Sequence, residues 1–362
     1  MSTDSPRTRV TTRDIAERLG LSRTTVCIVL RGEAEKRNIS PRTAQRVLDT
    51  ARELNYVPNN WARNLRRQRS GMIGVLLVNF RWDWADMLVT GLSPPLVAGG
   101  YTPFVAVHNF DPQGVRRELQ SCIERRDEGV IMQPMPALTD LYEGLQERGI
   151  PLVFIGDYPA DMPRASFAAW DSAPDARLAV EHLLATGRRR IGFLGYEYAM
   201  PLNQARFDEY LRVLNEAGLP PEDHWIARPP LDWSFERMME WSVQRMFRSG
   251  GAAPDGILAL NDGLAVPLLD ELARAGIRVP EDVGVVGMGD YPITRHAGIS
   301  LSTVREPVRE MGQAAAEAIL QLLSEPAAGP VQRLLPCARL YARRTTAVAN
   351  PDAGGHGLQT RP

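Results

Sequence analysis

Histidines, cysteines and closely spaced glycines are the residues of this chain that most readily do chemistry, and their spacing excludes most of it. His108, His182, His224, His296 and His356 are scattered and form no HExxH motif. His182, in the helical stretch AVEHLL, reads as a satisfied helix residue rather than a catalyst. In VGMGDY, Gly287 and Gly289 lack the third glycine and the helix that a dinucleotide-binding turn requires, and no phosphate-binding P-loop occurs. Cys27, Cys122 and Cys337 are odd in number and far apart, which fits neither a disulfide framework nor a zinc knuckle and points to a reducing compartment. No catalytic residue, metal site or cofactor is therefore expected.

The arginines carry a clearer message. Net charge over the 362 residues is −1, which on its face argues against a nucleic-acid partner. Residues 1–70, however, hold 15 basic side chains against 7 acidic, a net of +8. The other 292 residues hold 27 against 36, a net of −9. A basic head on an acidic body implies a polyanion partner for one end only. No run nears the ~18 apolar residues of a spanning helix, and MSTDSPRTRV lacks the apolar core of an export signal. A cytoplasmic protein of two or three domains is expected.

Helices must present that positive charge. In TTRDIAERLGLSRTTVCIVL, Thr11 caps a first helix with Asp14 completing a capping box, and Ile15, Ala16 and Leu19 form the apolar stripe. Gly20 supplies the turn, Leu21 plugs the core, Ser22 caps a second helix, and Val26 and Val29 face inward. The spacing is that of a helix-turn-helix, or of a generic three-helix bundle with a solvated basic surface. A third helix starts at Ser40-Pro41, with Val47, Leu48, Ala51 and Leu54 as its buried face.

After Gly71, short apolar runs alternate with amphipathic helices. Met72–Val78, Pro103–Val107, Gly129–Met132 and Pro151–Ile155 read as buried parallel strands, and Arg190–Leu194, Gly256–Leu260 and Val283–Met288 as a second series. The fold class that follows is a small all-α head on an α/β body of two doubly wound parallel sheets. Ligands of such sheets collect at the carboxyl ends of the strands, so two lobes share one cleft.

VTTRDIAERLGLSRTTV, followed by ISPRTAQRVLDTARELNYVPNNWARNLR, resembles the head and hinge of the LacI/GalR family of transcriptional regulators. The likeness runs from Val10 to about Thr346, with LAVEHLLATGRRRIGFLG, IRVPEDVGVVGMGD and LSTVREPVREMG as landmarks in the body. It implies a helix-turn-helix domain at 1–58, a hinge at 59–70, and a periplasmic-binding-protein-like body at 71–346 that crosses between lobes near Ala168, Ser302 and Gln332. The first lobe would be 71–168 and 303–331, the second 169–302 and 332–346, with a flexible tail at 347–362. That tail has no leucine heptads to build a coiled-coil tetramer.

The resemblance also assigns roles. Arg23 and Thr24 fall where base edges are read, and an arginine fork suits the two acceptors of guanine. Ser22, Thr25 and Asn59 fall at phosphate contacts, and Leu65 with Ala62 on the minor-groove face of the hinge. Where relatives have Ser-Arg before the end of the recognition helix this chain has Cys27-Ile28, so Ile28 offers only apolar contact, for instance to a thymine methyl. The loop RGEAEKRN at 31–38 is longer than is usual.

Asp157, Arg206, Trp233, Asn261 and Asp262 match positions that line the cleft, and their carboxylate, guanidinium, amide and indole groups suit a polyhydroxylated ring. Trp82 and Trp84 in NFRWDWADM flank its mouth, and Asp290 remains of a strand-end pair that is Gly289-Asp290 here. Glu306 replaces a frequent Gln. The expectation is a homodimeric repressor of a pseudo-palindromic operator in double-stranded DNA, controlled by a carbohydrate-like effector, with induction and corepression both open. A solute-binding protein or an α/β enzyme would share the cleft but has no use for the basic head.

Overall fold

The computed structural model describes residues 10–56, 70–78, 83–135, 138–159, 161–197, 201–231, 233–336 and 339–347. They fall into two compact units, divided between residues 68 and 69.

The head holds α1 (Thr12–Leu19), α2 (Arg23–Leu30) and α3 (Pro41–Glu53). Local chemistry sets each start. Asp14 accepts the Thr11 N–H at 2.7 Å while Thr11 Oγ1 accepts from Arg13, and Ser22 and Ser40 accept from Thr25 and Thr43 three residues on. Gly20 ends α1 at φ 65°, a conformation in which a Cβ is strained. Ile15, Ala16, Val26, Val29, Val47 and Ala51 make the core. Leu48 does not join it: it is 36% exposed, and Thr50 takes the buried place on α3. The long loop tightens into a single 3-10 turn at Glu35–Arg37, closed by Asn38 at φ 54°.

The body is built on two six-stranded sheets. The first contains β1 (Met72–Leu77), β2 (Thr102–Val107), β3 (Gly129–Met132), β4 (Leu152–Gly156), β5 (Ser166–Trp170) and β11 (Gln332–Leu335), in the order β11-β5-β4-β3-β1-β2. The second contains β6 (Ile191–Leu194), β7 (Ile226–Ala227), β8 (Gly256–Ala259), β9 (Gly284–Gly289), β10 (Ser302–Arg305) and β12 (Arg339–Tyr341), in the order β12-β10-β9-β8-β6-β7. All pairings are parallel except β10 with β12. The central strands are buried along their whole length, which is why they read as unbroken apolar runs.

Strand membership places the crossings. The first follows β5 at Trp170. The second follows Arg305, because β10 pairs with β9 from Ser302 onward, and the third follows Leu335, because β11 pairs with β5. Both lie about three residues beyond the expected Ser302 and Gln332, since short strands with no alternation of their own stay with the sheet that precedes the crossing.

Helices cover both sheets. α4 (Asp83–Ala98), α5 (Pro112–Arg125), α6 (Thr139–Glu147) and α11 (Val308–Ser324) belong to the first lobe, and α7 (Ala173–Ala185), α8 (Pro201–Glu216), α9 (Phe235–Arg248) and α10 (Asp262–Arg274) to the second. α4 and α11 meet backbone to backbone. A Cβ on Gly91 would lie 2.0 Å from the Arg309 carbonyl oxygen, and one on Gly312 2.4 Å from that of Leu88. Gly91→Ala must therefore push the helices apart. We expect it to cost about 1–3 kcal/mol by urea unfolding of the body, and a loss within the error of the method would show that the helices are free to separate.

Candidate functional site

Two surfaces hold the residues singled out by sequence. In the head, Ser22, Arg23 and Thr24 are exposed at the start of α2, with Thr25 and Ile28 half-buried beside them. Arg23 Nε donates to the Thr12 hydroxyl at 3.2 Å, which holds the guanidinium against α1 while leaving its two amino groups without partners among the described residues. The first turn of α2 thus presents a fork of donors and two hydroxyls, and Ile28 one turn on is apolar. Asn59, Ala62 and Leu65 lie outside the described residues.

In the body, a cavity of about 160 Å³ opens between the carboxyl ends of the two sets of strands. The first lobe contributes Trp84, Phe110, Gln133, Asp157 and Trp170, the second Tyr196, Asn203, Arg206, Asn261 and Tyr291, and Glu306 lies on the second crossing. Phe110 follows Asn109, and both take left-handed backbone, φ 60° and 49°, a strain characteristic of sites where a side chain must be aimed. Gly156, at φ 75°, turns the chain at the end of β4 and brings Asp157 to the rim.

Arg206 is the centre of the cavity's electrostatics. It is buried, donates to Glu306 at 2.6 Å and to the Leu260 carbonyl at 2.9 Å, and its Nε has no partner. Burial works against its charge, but Glu306 and Asp175 more than offset that and raise its pKa. Asp157 spans the lobes. Its carboxylate accepts the Tyr158 N–H at 2.9 Å and, from the second lobe, the Leu202 N–H at 3.0 Å. Burial raises its pKa against those two bonds. A second tie crosses at Asp83, which accepts the Ile293 N–H at 3.1 Å. Asn261, which lines the cavity, uses its side-chain carbonyl to cap α10 by accepting the Leu264 N–H at 3.0 Å.

Other expected residues stand elsewhere. Trp233 is not among the cavity's lining. It packs edge-on against Trp241, centroids 5.9 Å apart, under the Arg237 guanidinium. Asp262 is fully buried, accepting the Thr303 hydroxyl at 2.6 Å and the Tyr291 N–H at 3.0 Å. Gly287 and Gly289 exist for it, since a Cβ on either would lie within 3 Å of its carboxylate. Asp290 binds Arg295 and Arg343 at 2.7 and 2.5 Å and so anchors the C-terminal segment. His182 does the same through the Thr346 hydroxyl at 2.7 Å. Trp82 lies outside the described residues. Trp170, Tyr196 and Tyr291 were not foreseen, although each ends or follows a strand, where ligands of such sheets gather.

The first turn of α2 and the paired lobes have counterparts. The family of bacterial regulatory proteins of LacI type matches residues 11–59, and the periplasmic binding protein-like domain matches residues 180–346. The Lac repressor dimer bound to operator and the anti-inducer ONPF superposes with a TM-score of 0.78 at 25% identity, over 94% of this chain and 99% of that one. This chain belongs to the LacI family. A LacI-family regulator from Silicibacter pomeroyi superposes with a TM-score of 0.75 at 26% identity, over 93% of this chain and 99% of that one. The HTH-type transcriptional repressor PurR of Aliivibrio salmonicida is 26% identical over 317 residues, 87% of this chain and 92% of its own. LacI-family proteins are transcription regulators and not enzymes, and no described helix of this member is long and apolar enough to cross a membrane.

Asp262 gives this LacI-family body a pH dependence. Burial lifts its carboxyl to about 7, against the Thr303 and Tyr291 bonds that lower it. The folded state therefore holds a proton that the unfolded chain releases near 4, so this contribution is complete below about pH 4 and lost as pH rises through about 7. Thermal melts of the native protein should fall by a few degrees across that window, and those of Asp262→Asn should be flatter. Parallel curves for the two proteins would assign the dependence to other groups.

Proposed function

We propose that this LacI-family regulator is a cytoplasmic repressor that binds a pseudo-palindromic operator as a homodimer, and that a small polyhydroxylated molecule in the interlobe cleft controls its grip. Arg23 and Thr24 read base edges in the major groove, Ile28 meets an apolar one, and Ser22, Thr25 and Asn59 hold phosphates. Leu65 and Ala62 act in the minor groove at the centre of the site. The PurR relatives are named repressors, and the Lac repressor is described as a dimer on its operator; both support this reading.

The observation that carries the control is the pair of hydrogen bonds across the cleft, Asp157 to Leu202 and Asp83 to Ile293. A ligand between the lobes that prefers one spacing shifts the balance between arrangements by its difference in affinity for them. Asp157, Arg206, Asn261 and Trp84 are proposed to touch it. Trp233, Asp262 and Asp290 support it from behind, through packing, the strand ends and the C-terminal segment.

Selection of bound DNA from a random pool defines the operator, after which release or recruitment is assayed with a panel of sugars and related rings. Removing residues 1–70 should abolish tight binding at ~50 mM salt, and the intact protein should lose affinity steeply as salt rises. Arg23→Ala should cost about 1–3 kcal/mol on the selected site and relax its preference at one base pair. Affinity and preference both unchanged would remove Arg23 from the readout. The ligand that acts on DNA should also perturb the fluorescence of Trp84 and Trp170. An equal response after Asp157→Asn and Arg206→Gln together would put the ligand elsewhere.

A further inference from the structure

We infer that the cleft admits an uncharged ring, with hydroxyl or amino substituents, and rejects a phosphorylated or carboxylated one, because Glu306 already occupies the guanidinium that would hold the anion. This rests on the reading of the cleft as the effector site and adds the charge of the ligand to it.

Arg206 is the only cation among the described residues that line the cavity, and two carboxylates, Asp157 and Glu306, stand with it. A phosphate or carboxylate is best held by two parallel N–H donors of one guanidinium. Both amino groups of Arg206 are engaged, one by Glu306 at 2.6 Å and the other by the Leu260 carbonyl at 2.9 Å. Nε has no partner and is fully buried, and the second N–H of each amino group belongs to a guanidinium whose charge Glu306 already balances. An open N–H of this guanidinium suits a hydroxyl, which accepts from it and donates its own proton to a carboxylate oxygen. An anion placed there would meet Glu306 on the same guanidinium.

Helix N-termini are the other source of anion-binding donors, and at the cleft two of their N–H groups already meet side-chain oxygens. Near the start of α8 the Leu202 N–H goes to Asp157, and in the first turn of α10 the Leu264 N–H goes to Asn261. Asp262, the first residue of α10, adds a further buried carboxyl behind the cavity. Glu306 and Asp262 both stand within electrostatic reach of the same Tyr291 ring. The described lining is thus net negative, and its aromatic walls suit C–H faces rather than charge.

Glu306→Gln tests this in the full-length protein, with inorganic phosphate as the probe and sodium chloride at matched ionic strength as the control. The native protein should show no saturable rise in melting temperature with phosphate. The variant, whose Arg206 has lost its anion, should gain a saturable rise of several degrees with a millimolar midpoint, lost again when Arg206→Gln is added. A saturable response in the native protein, or none in a folded Glu306→Gln, overturns the proposal. Asp157→Asn leaves the ion pair intact and covers the case of a Glu306 variant that does not fold: it should stay unresponsive, and a phosphate response there would move selectivity to Asp157 and overturn the role of Glu306. No DNA enters these melts, so a cleft that rejects anions without controlling operator binding fails the release assay alone, whereas an anion-accepting effector site fails the phosphate test alone.

Discussion

The ion pair between Arg206 and Glu306 is the interaction on which the body's architecture converges. Both side chains are almost wholly buried, and removing either partner of such a pair leaves an uncompensated charge, which is far costlier than the pair is stabilising. Arg206 comes from α8, Leu260 from the end of β8, and Glu306 from the segment where the chain leaves the second sheet for α11. The pair therefore fixes one helix, one strand end and one crossing at a single point beneath the cavity. Asp157, Asn261 and the aromatic walls are arranged around it.

Charge is distributed with the same economy over the whole chain. A net charge of −1 conceals a head rich in arginine and a body with an excess of carboxylates. In the head the helix caps are made by serine and threonine, and at the start of α2 Arg23 commits only its Nε to the protein among the described residues. In the body the acids do internal work: they cap, they span the cleft, and they hold the C-terminal segment. A body of that sign has little attraction for a polyanion.

Much of this was legible in the residues. The caps at Thr11, Ser22 and Ser40, the turn at Gly20 and the buried parallel strands follow from local chemistry and apolar runs, and the LacI-family landmarks order them. Asp157, Arg206 and Asn261, assigned to the cleft by the family resemblance, line the cavity between the lobes. What escaped was decided by tertiary partners. Asp290 looks like a free strand-end carboxylate until Arg343, far along the chain, arrives to pair with it. Asp262 is one residue from Asn261, yet the helix turns one side chain to the cavity and the other into the core. Trp170 was hidden because SFAAW lies where a crossing was expected, and the strand it ends has no polar alternation to announce it. Leu48 sits at the edge of the α3 stripe, where periodicity alone does not separate core from rim.

The glycine contact between α4 and α11 bears on movement. With carbonyl oxygens seated where side chains would be, the two helices have no compressible layer between them and no room to slide, so they behave as one stiff beam along the first lobe. One end of that beam carries Asp83, which touches the second lobe, and α11 begins two residues after Glu306. A disturbance at the ion pair and a disturbance at Asp83 are then felt as the same displacement, and the bending must be taken up by the three strands of chain between the lobes. Stiffness in the lobe carries a displacement at one end of it to the other.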